Sequence, residues 1–437
     1  MRAFILGGGQ GSRTLNPKLP KVLTKVNGVA LLDLQLIELM AIEEVRQITL
    51  LLGHGADEVI THLEGFLEAN LSGKLVDYLV ESESLGSAGM LHQVLSGLDG
   101  EICFVALGDI LPRGGIVESF HIWKAAGTKK ENIVFVHPNN HPSDSDSVKR
   151  SSGSELIETI ISSRSSLGSP RVNLSPVGFF FLKTSDVQFW PNAKKSDLVN
   201  DILPALLESK VAISAKDLLR RSLDVGTPER LERVQATLAK VEMILNWAVF
   251  IDRDDTLIYD PTTPANKGKD IALMVGVIPL LKLLNDAGIP VICISNQPSI
   301  AKGHSTFQKI DLQNQEIQAL LADEYVYIDK WLYCPHHPET GFDSEIKELK
   351  ISCSCRKPKD GMIKEVTGQH DIDVSKSVII GDTFRDVEIE ANLGLRIHFC
   401  PQGNCDILTY HACVENFEQI RGELMNFAEG SIANDYR

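Results

Sequence analysis

The hydrophobic run Ala248 to Ile251 stops abruptly at Asp252-Arg253-Asp254, and two later runs of the same segment stop at Ser295-Asn296 and at Gly381-Asp382. Runs that are apolar throughout and polar only at the end read as strands buried on both faces. Such strands belong to parallel sheets, and ligands collect at the carboxyl edge of these sheets. Between them lies a helix with Val277, Leu280, Leu281 and Leu284 on one face, closed by Gly288, and the strands Val291 to Ser295 and Val378 to Ile380 follow. The same rhythm opens the chain, with strands Ala3 to Leu6, Ile48 to Leu52, Leu75 to Val80 and Ile102 to Leu107. A chain of 437 residues exceeds what one core usually supports, so the expected architecture is α/β with two domains, 1–240 and 246–437. Pro228 to Leu245 reads as one amphipathic connecting helix. Ser143 to Ser169, rich in Ser and Asp, reads as loops with one short strand.

A formal net charge of -15 argues against nucleic acid or an anionic membrane as partner, since both reward a basic face. Small phosphorylated molecules need only a local cluster of cations and backbone N–H groups. No apolar run is long enough to cross a bilayer, and Met1-Arg2 leads straight into a strand, so the expected location is the cytoplasm. A homo-oligomer is left open.

Cys334-x-His336 and Cys353-x-Cys355 run directly into Arg356-Lys357-Pro358. Three thiols and an imidazole in two tight pairs suit a tetrahedral structural Zn²⁺, which would staple the loop carrying Lys357. His337 and the cysteines at 103, 293, 400, 405 and 413 read as core or surface residues.

At the N-terminus, the strand ending at Leu6 opens into Gly7-Gly8-Gly9-Gln10-Gly11-Ser12-Arg13, followed by Pro20-Lys21. Glycines let backbone N–H groups approach a triphosphate, and Arg13 and Lys21 supply charge. Neither a Walker A pattern nor a Rossmann fingerprint fits the spacing.

With Leu85-Gly86-Ser87-Ala88-Gly89, Gly108-Asp109 and Asp224-Val225-Gly226-Thr227-Pro228, this loop resembles the sugar-1-phosphate nucleotidylyltransferases across residues 1 to 240. The resemblance implies a Rossmann-like, GT-A-like sheet. It implies nucleotide binding by Leu6, Gly7, Gly8, Gly9, Gly11, Arg13, Lys21 and Gly86, with Arg13 and Lys21 clamping the transferred phosphate. It also implies Mg²⁺ on Asp109 and Asp224. Gly7 stands where the family has Ala, and Arg164 is the only stand-in for a Glu-Lys-Pro. His137, His141, Asp144 and Asp146 read as polar loop residues rather than a metal site.

The Asp252-x-Asp254 segment resembles the haloacid dehalogenase-like phosphatases, a Rossmannoid fold. That implies Asp252 as the nucleophile and Asp254 as acid and base, with Mg²⁺ held by the Asp252 carboxylate, the Asp254 carbonyl and Asp382. Ser295, Asn296, Arg356 and Lys357 would bind the phosphoryl group, and Asp386 would orient the metal shell through water. Within that superfamily the Cys/His strings are similar to zinc-containing heptose-1,7-bisphosphate and histidinol phosphatases, the long interval favouring the former. Asp255 stands in place of Gly, and Pro298 also departs from the family pattern. The fusion implies two consecutive steps: removal of the 7-phosphate of a heptose bisphosphate, then transfer of a nucleotidyl group, from GTP by analogy, to the 1-phosphate. Alternatives are another sugar phosphate, or a nucleotide-sensing first domain.

Overall fold

In the computed structural model the chain forms two compact units, one mainly from residues 1–244 and the other mainly from 245–437. The structure describes residues 1–8, 20–70, 73–127, 131–140, 142–163, 172–191, 195–220, 222–225, 231–232, 234–235, 246–263, 266, 268–403 and 412–435. The connecting helix expected at 228–245 falls largely outside them, as do Gly9, Gly11, Arg13, His141, Arg164 and Cys405.

The first unit is built on a seven-stranded sheet of β1 (Arg2–Gly7), β2 (Gln47–Leu52), β3 (Leu75–Val80), β4 (Ile102–Leu107), β5 (Asn132–His137), β6 (Ser175–Lys183) and β7 (Ile213–Asp217). Their spatial order is β7-β5-β6-β4-β1-β2-β3. β1 pairs in parallel with β2 and β4, with Gly7 opposite Leu52 and Leu6 opposite Leu107, so the glycine loop and Gly108-Asp109 leave the sheet at one edge. β6 runs antiparallel to both neighbours, so the sheet is mixed rather than all parallel. Phe179, Phe180 and Phe181 of β6 are fully buried. Alternation sends Phe179 and Phe181 to one core with Phe104 and Phe120, and Phe180 to the opposite core with Phe4 and Val105. At about 2–3 kcal/mol per buried phenyl ring, covering both faces fixes the register of this strand strongly. The Ser/Asp-rich stretch differs from expectation. It contains a hairpin of two strands, Ser147–Arg150 and Ile157–Ile161, because its β-branched residues can pair locally.

The second unit has a six-stranded sheet, parallel in every pairing: β8 (Val249–Ile251), β9 (Val291–Asn296), β10 (Lys330–Cys334), β11 (Val378–Gly381), β12 (Leu395–Phe399) and β13 (Ala412–Val414). The order is β10-β9-β8-β11-β12-β13. From β8 the chain winds one way through β9 and β10, then returns to β11 on the other side. β8 is therefore at the switch point where open α/β sheets form a crevice. A helix, Val277–Ala287, buries Val277, Leu280, Leu281 and Leu284 and ends at Gly288 in the left-handed region, as the sequence predicts. Ile251 sits opposite both Cys293 and Ile380, so Asp252 emerges between Ser295 on one side and Gly381-Asp382 on the other.

Candidate functional site

Asp252, the first residue beyond β8, is 8% exposed, and its backbone N–H is fixed by the Ile380 carbonyl at 2.9 Å. Lys357 Nζ donates to its Oδ1 at 2.6 Å, to the Ile294 carbonyl at 2.6 Å, and pairs with Asp386 Oδ1 at 2.5 Å. Asp386 therefore holds the lysine directly, which places it closer to the centre than a role relayed through water requires. Its other oxygen accepts from the Thr383 N–H and hydroxyl in a capping box at the start of Phe384–Val387. Gly381 makes this approach feasible: a Cβ there would lie 2.3 Å from that of Asp386.

Two carboxylates thus share one ammonium, with Asp382 beside them. Burial pushes the Asp252 carboxyl up, Lys357 opposes this, and Asp386 and Asp254 add to it. Lys357 is itself held protonated by Asp252 and Asp386 against its burial. Burial first, then repulsion from Asp386, pushes Asp382 up to about 7. Asp382 Oδ1 is buried with no hydrogen-bond partner. Ligand atoms of Asp252, Asp382 and Asp386 lie within 4.8 Å of one another. Excess negative charge and an orphaned carboxylate oxygen fit a hard divalent cation with oxygen ligands, as Mg²⁺ is.

Asp254 is more open, its side chain 24% exposed. Arg253 Nε and Nη2 donate to its two oxygens at 3.0 and 3.1 Å, and Gln297 Nε2 donates to Oδ2 at 2.7 Å. These three hydrogen bonds fix the orientation of the carboxylate. Asp255 has φ 55°, and its Oδ1 accepts from the Asp260 N–H at 2.9 Å. Aspartate in the left-handed region thus supplies the turn that glycine makes in the resembling family.

Ser295 is 2% exposed with Oγ accepting from Gln297 at 2.8 Å, which leaves its hydroxyl hydrogen to donate. Asn296 has a further task. Its side-chain amide donates to the Lys357 carbonyl at 3.1 Å and accepts from the Lys357 N–H at 3.0 Å, so both ends clamp the lysine's backbone. Two such bonds contribute about 1 kcal/mol each. Arg356 Nη1 donates to the His336 carbonyl at 3.3 Å.

Cys334 ends β10 beside Asn296 of β9, and Cys355 lies two residues before Lys357. Cys334, His336, Cys353 and Cys355 converge with Sγ···Sγ separations of 3.2 to 3.5 Å and Nδ1···Sγ separations of 3.3 and 3.6 Å. A tetrahedron with metal–sulfur bonds of about 2.3 Å has edges of about 3.8 Å, so the set needs only slight expansion to hold a metal. Thiol hydrogen bonds, first from Cys334, push Cys355 down to about 5, while bonding to Cys355 and burial push Cys334 up. Backbone bonds tie this cluster to the site: Gln297 N–H reaches the Cys334 carbonyl at 2.8 Å, and Ala301 N–H the Pro335 carbonyl at 3.3 Å. His337 is buried beside the ring of Phe342, outside the donor set. Cys103, Cys293 and Cys400 are free thiols, whereas Cys413, read from the sequence as a core or surface residue, is disulfide-bonded.

The first unit carries a cavity of about 370 Å³ lined by Leu6, Gly7, Gly8, Lys21, Gly86 and Asp109. Lys21 Nζ pairs with Asp109 Oδ2 at 2.9 Å. Leu223 and Asp224 form a short ladder with Leu111 and Ile110, which brings the backbone at 224 beside Asp109. Gly86 has φ 78°, and a Cβ there would lie 2.3 Å from the Ser196 carbonyl. Its helix, Gly86–Leu95, is thereby docked on residues 196 to 198, where Ser87 Oγ accepts from the Leu198 N–H at 2.9 Å. Glu81, Lys195 and Asp197 also line the cavity and carry no motif in the sequence. Glu81 Oε2 accepts from the Leu85 N–H at 3.1 Å, holding the loop before Gly86. Asp146 is structural: it accepts from Ser163 and from Asn200. His137 is buried on β5.

A parallel sheet with an Asp-x-Asp at its switch point, a buried lysine and a third strand ending in Gly-Asp defines the second unit as haloacid dehalogenase-like. Residues 247–390 match the polynucleotide kinase 3 phosphatase family. A D-glycero-β-D-manno-heptose-1,7-bisphosphate 7-phosphatase of Yersinia pestis is 30% identical over 152 residues, 34% of this chain and 78% of that relative. The enzyme of the same name from Haemophilus ducreyi is 33% identical over 150 residues, 34% of this chain and 79% of its own length. Through its C-terminal unit, the chain belongs to the D-glycero-β-D-manno-heptose-1,7-bisphosphate 7-phosphatase family. Among solved structures, HddC from Yersinia pseudotuberculosis is 20% identical with a TM-score of 0.43, covering 54% of this chain and 99% of that one. A haloacid dehalogenase-like phosphatase from Mesorhizobium loti is 27% identical with a TM-score of 0.36, covering 43% and 87%. Among the described residues, no helix is long and apolar enough to cross a membrane.

Proposed function

We propose that residues 246–437 remove the 7-phosphate of D-glycero-D-manno-heptose 1,7-bisphosphate, and that residues 1–240 join the resulting 1-phosphate to a nucleotide, giving NDP-heptose and pyrophosphate. The observation that carries the reading is the buried Asp252–Lys357–Asp386 centre with Asp382, inside the segment that matches the phosphatase family.

An Asp252 carboxylate oxygen attacks phosphorus, and the ester P–O bond breaks with its electron pair staying on the sugar oxygen, which takes a proton from Asp254. Water then attacks the aspartyl-phosphate, Asp254 accepts its proton, and orthophosphate leaves with Asp252 restored. Lys357 and the Ser295 hydroxyl stabilise charge on the phosphoryl oxygens. Asp252, Asp382 and the Asp254 carbonyl would hold Mg²⁺, which supplies Lewis-acid stabilisation when bound. Cys334, His336, Cys353 and Cys355 would hold Zn²⁺ with no open position, so that metal would be structural.

In the first unit, Gly7, Gly8 and Gly86 bring backbone to the cavity, and Lys21 would neutralise the transferred phosphate. Asp109 and Asp224 would hold a second Mg²⁺. Gly9, Gly11 and Arg13 belong to the same proposed site. The nucleotide is GTP by family analogy, the partners are small sugar phosphates and a nucleoside triphosphate, and the expected location is the cytoplasm.

Orthophosphate release from a panel of sugar bisphosphates tests the substrate. Heptose 1,7-bisphosphate should give the highest kcat/KM; a value no better than that for fructose 1,6-bisphosphate would end the assignment.

A further inference from the structure

Gln297 follows directly on Asn296 at the end of β9 and is 5% exposed. Its Nε2 donates to Asp254 Oδ2 at 2.7 Å and to Ser295 Oγ at 2.8 Å. An ionised carboxylate can only accept, so this amide must present nitrogen to Asp254. Ser295 takes the same amide's other N–H, and the backbone N–H of Gln297 is held by the Cys334 carbonyl at 2.8 Å. The side chain is thus held by two hydrogen bonds and its backbone by a third, and turning the amide would forfeit the first two.

The other grip on Asp254 is the guanidinium of its own neighbour, Arg253, itself anchored on Asn314 Oδ1 at 3.1 Å. A guanidinium fixes a carboxylate through charge-assisted hydrogen bonds. A neutral amide fixes the side-chain torsion without adding charge, which an acid that must regain its proton each cycle requires. We propose that Gln297 is the positioning residue for Asp254, holding it in the orientation from which it protonates the leaving sugar oxygen. The proposal rests on the phosphatase reading and adds to it a residue that does not touch the reacting phosphoryl group.

The test compares kcat/KM of the full-length Mg²⁺-loaded protein and its Gln297→Met variant on heptose 1,7-bisphosphate and on p-nitrophenyl phosphate. The sugar alkoxide needs a proton to leave, whereas p-nitrophenolate does not, and kcat/KM reports the step in which that bond breaks. The expected result is a loss of about tenfold or more on the sugar phosphate with less than about a twofold loss on the aryl phosphate. Equal losses on both would overturn the proposal and mark Gln297 as purely structural. Hydrolysis of neither substrate by the unaltered protein would instead bring down the phosphatase reading. If Gln297→Met fails to fold by calorimetry, Gln297→Ala decides by the same comparison: a loss confined mainly to the sugar phosphate supports the proposal, and equal losses on both substrates overturn it.

Discussion

Asp382 is the residue at which stability and function should oppose each other most clearly. Its folded pKa of about 7 stands above the ordinary 3.8, so between those values the native state holds a proton that the unfolded chain releases. Metal-free stability therefore falls as pH rises through that window. The gap, at about 1.4 kcal/mol per tenfold step, corresponds to on the order of 4 kcal/mol. Solvent screening at a residue that is only partly buried leaves about 2–3 kcal/mol. Asp382→Asn removes the ionised group at nearly constant shape, so at pH 8 without metal the variant should be more stable than the parent by about that amount. Mg²⁺ at one hundred times its Kd should raise parental stability by about 2.7 kcal/mol and that of the variant far less. Phosphate release should be lost. Calorimetry of the full chain from pH 4 to 8, with and without Mg²⁺, follows the transition that the metal shifts. A variant less stable than the parent at pH 8, or one raised equally by Mg²⁺, would refute the reasoning.

Lys357→Met should destabilise the second unit by about 3–5 kcal/mol, because Asp252 and Asp386 lose their shared ammonium, and chemical denaturation should show it. Asp252→Asn should abolish orthophosphate release while pyrophosphate formation continues, and loss of both would show that the units are not independent. Conversely, Lys21→Ala and Asp109→Asn should abolish pyrophosphate formation from GTP and a sugar 1-phosphate; nucleotide binding without turnover in the unaltered protein would instead support a sensing domain. Metal analysis should find about one zinc per chain, and Cys355→Ser should lower both zinc content and thermal stability; a zinc-free, fully stable parent would remove the staple.

The second unit's site was legible because its groups sit at the ends of apolar runs, where a parallel sheet must deliver them to one edge. The left-handed turn at Asp255 was readable for the same local reason, since aspartate tolerates positive φ. The tasks of individual side chains were less legible. Asn296 ends the same strand as Ser295, yet alternation turns it to the Lys357 backbone, and only the packed loop reveals that partner. Asp386 reads as a remote orienting group until the fold brings Lys357 to it. Gln297 carries no charge and no period, and the one signal is its place directly after the strand end. In the first unit, the reversed direction of β6 and the contribution of Glu81, Lys195 and Asp197 to the cavity come from tertiary pairing, which no local pattern encodes.

The central claim, that one chain carries out two consecutive reactions, is tested most directly by incubating the full-length protein with Mg²⁺, heptose 1,7-bisphosphate and each of the four nucleoside triphosphates in turn, with the products read by mass. Orthophosphate, pyrophosphate and a nucleoside-diphosphate heptose, formed best from GTP, are the predicted products. Heptose 1-phosphate accumulating unchanged beside all four intact triphosphates would contradict the account.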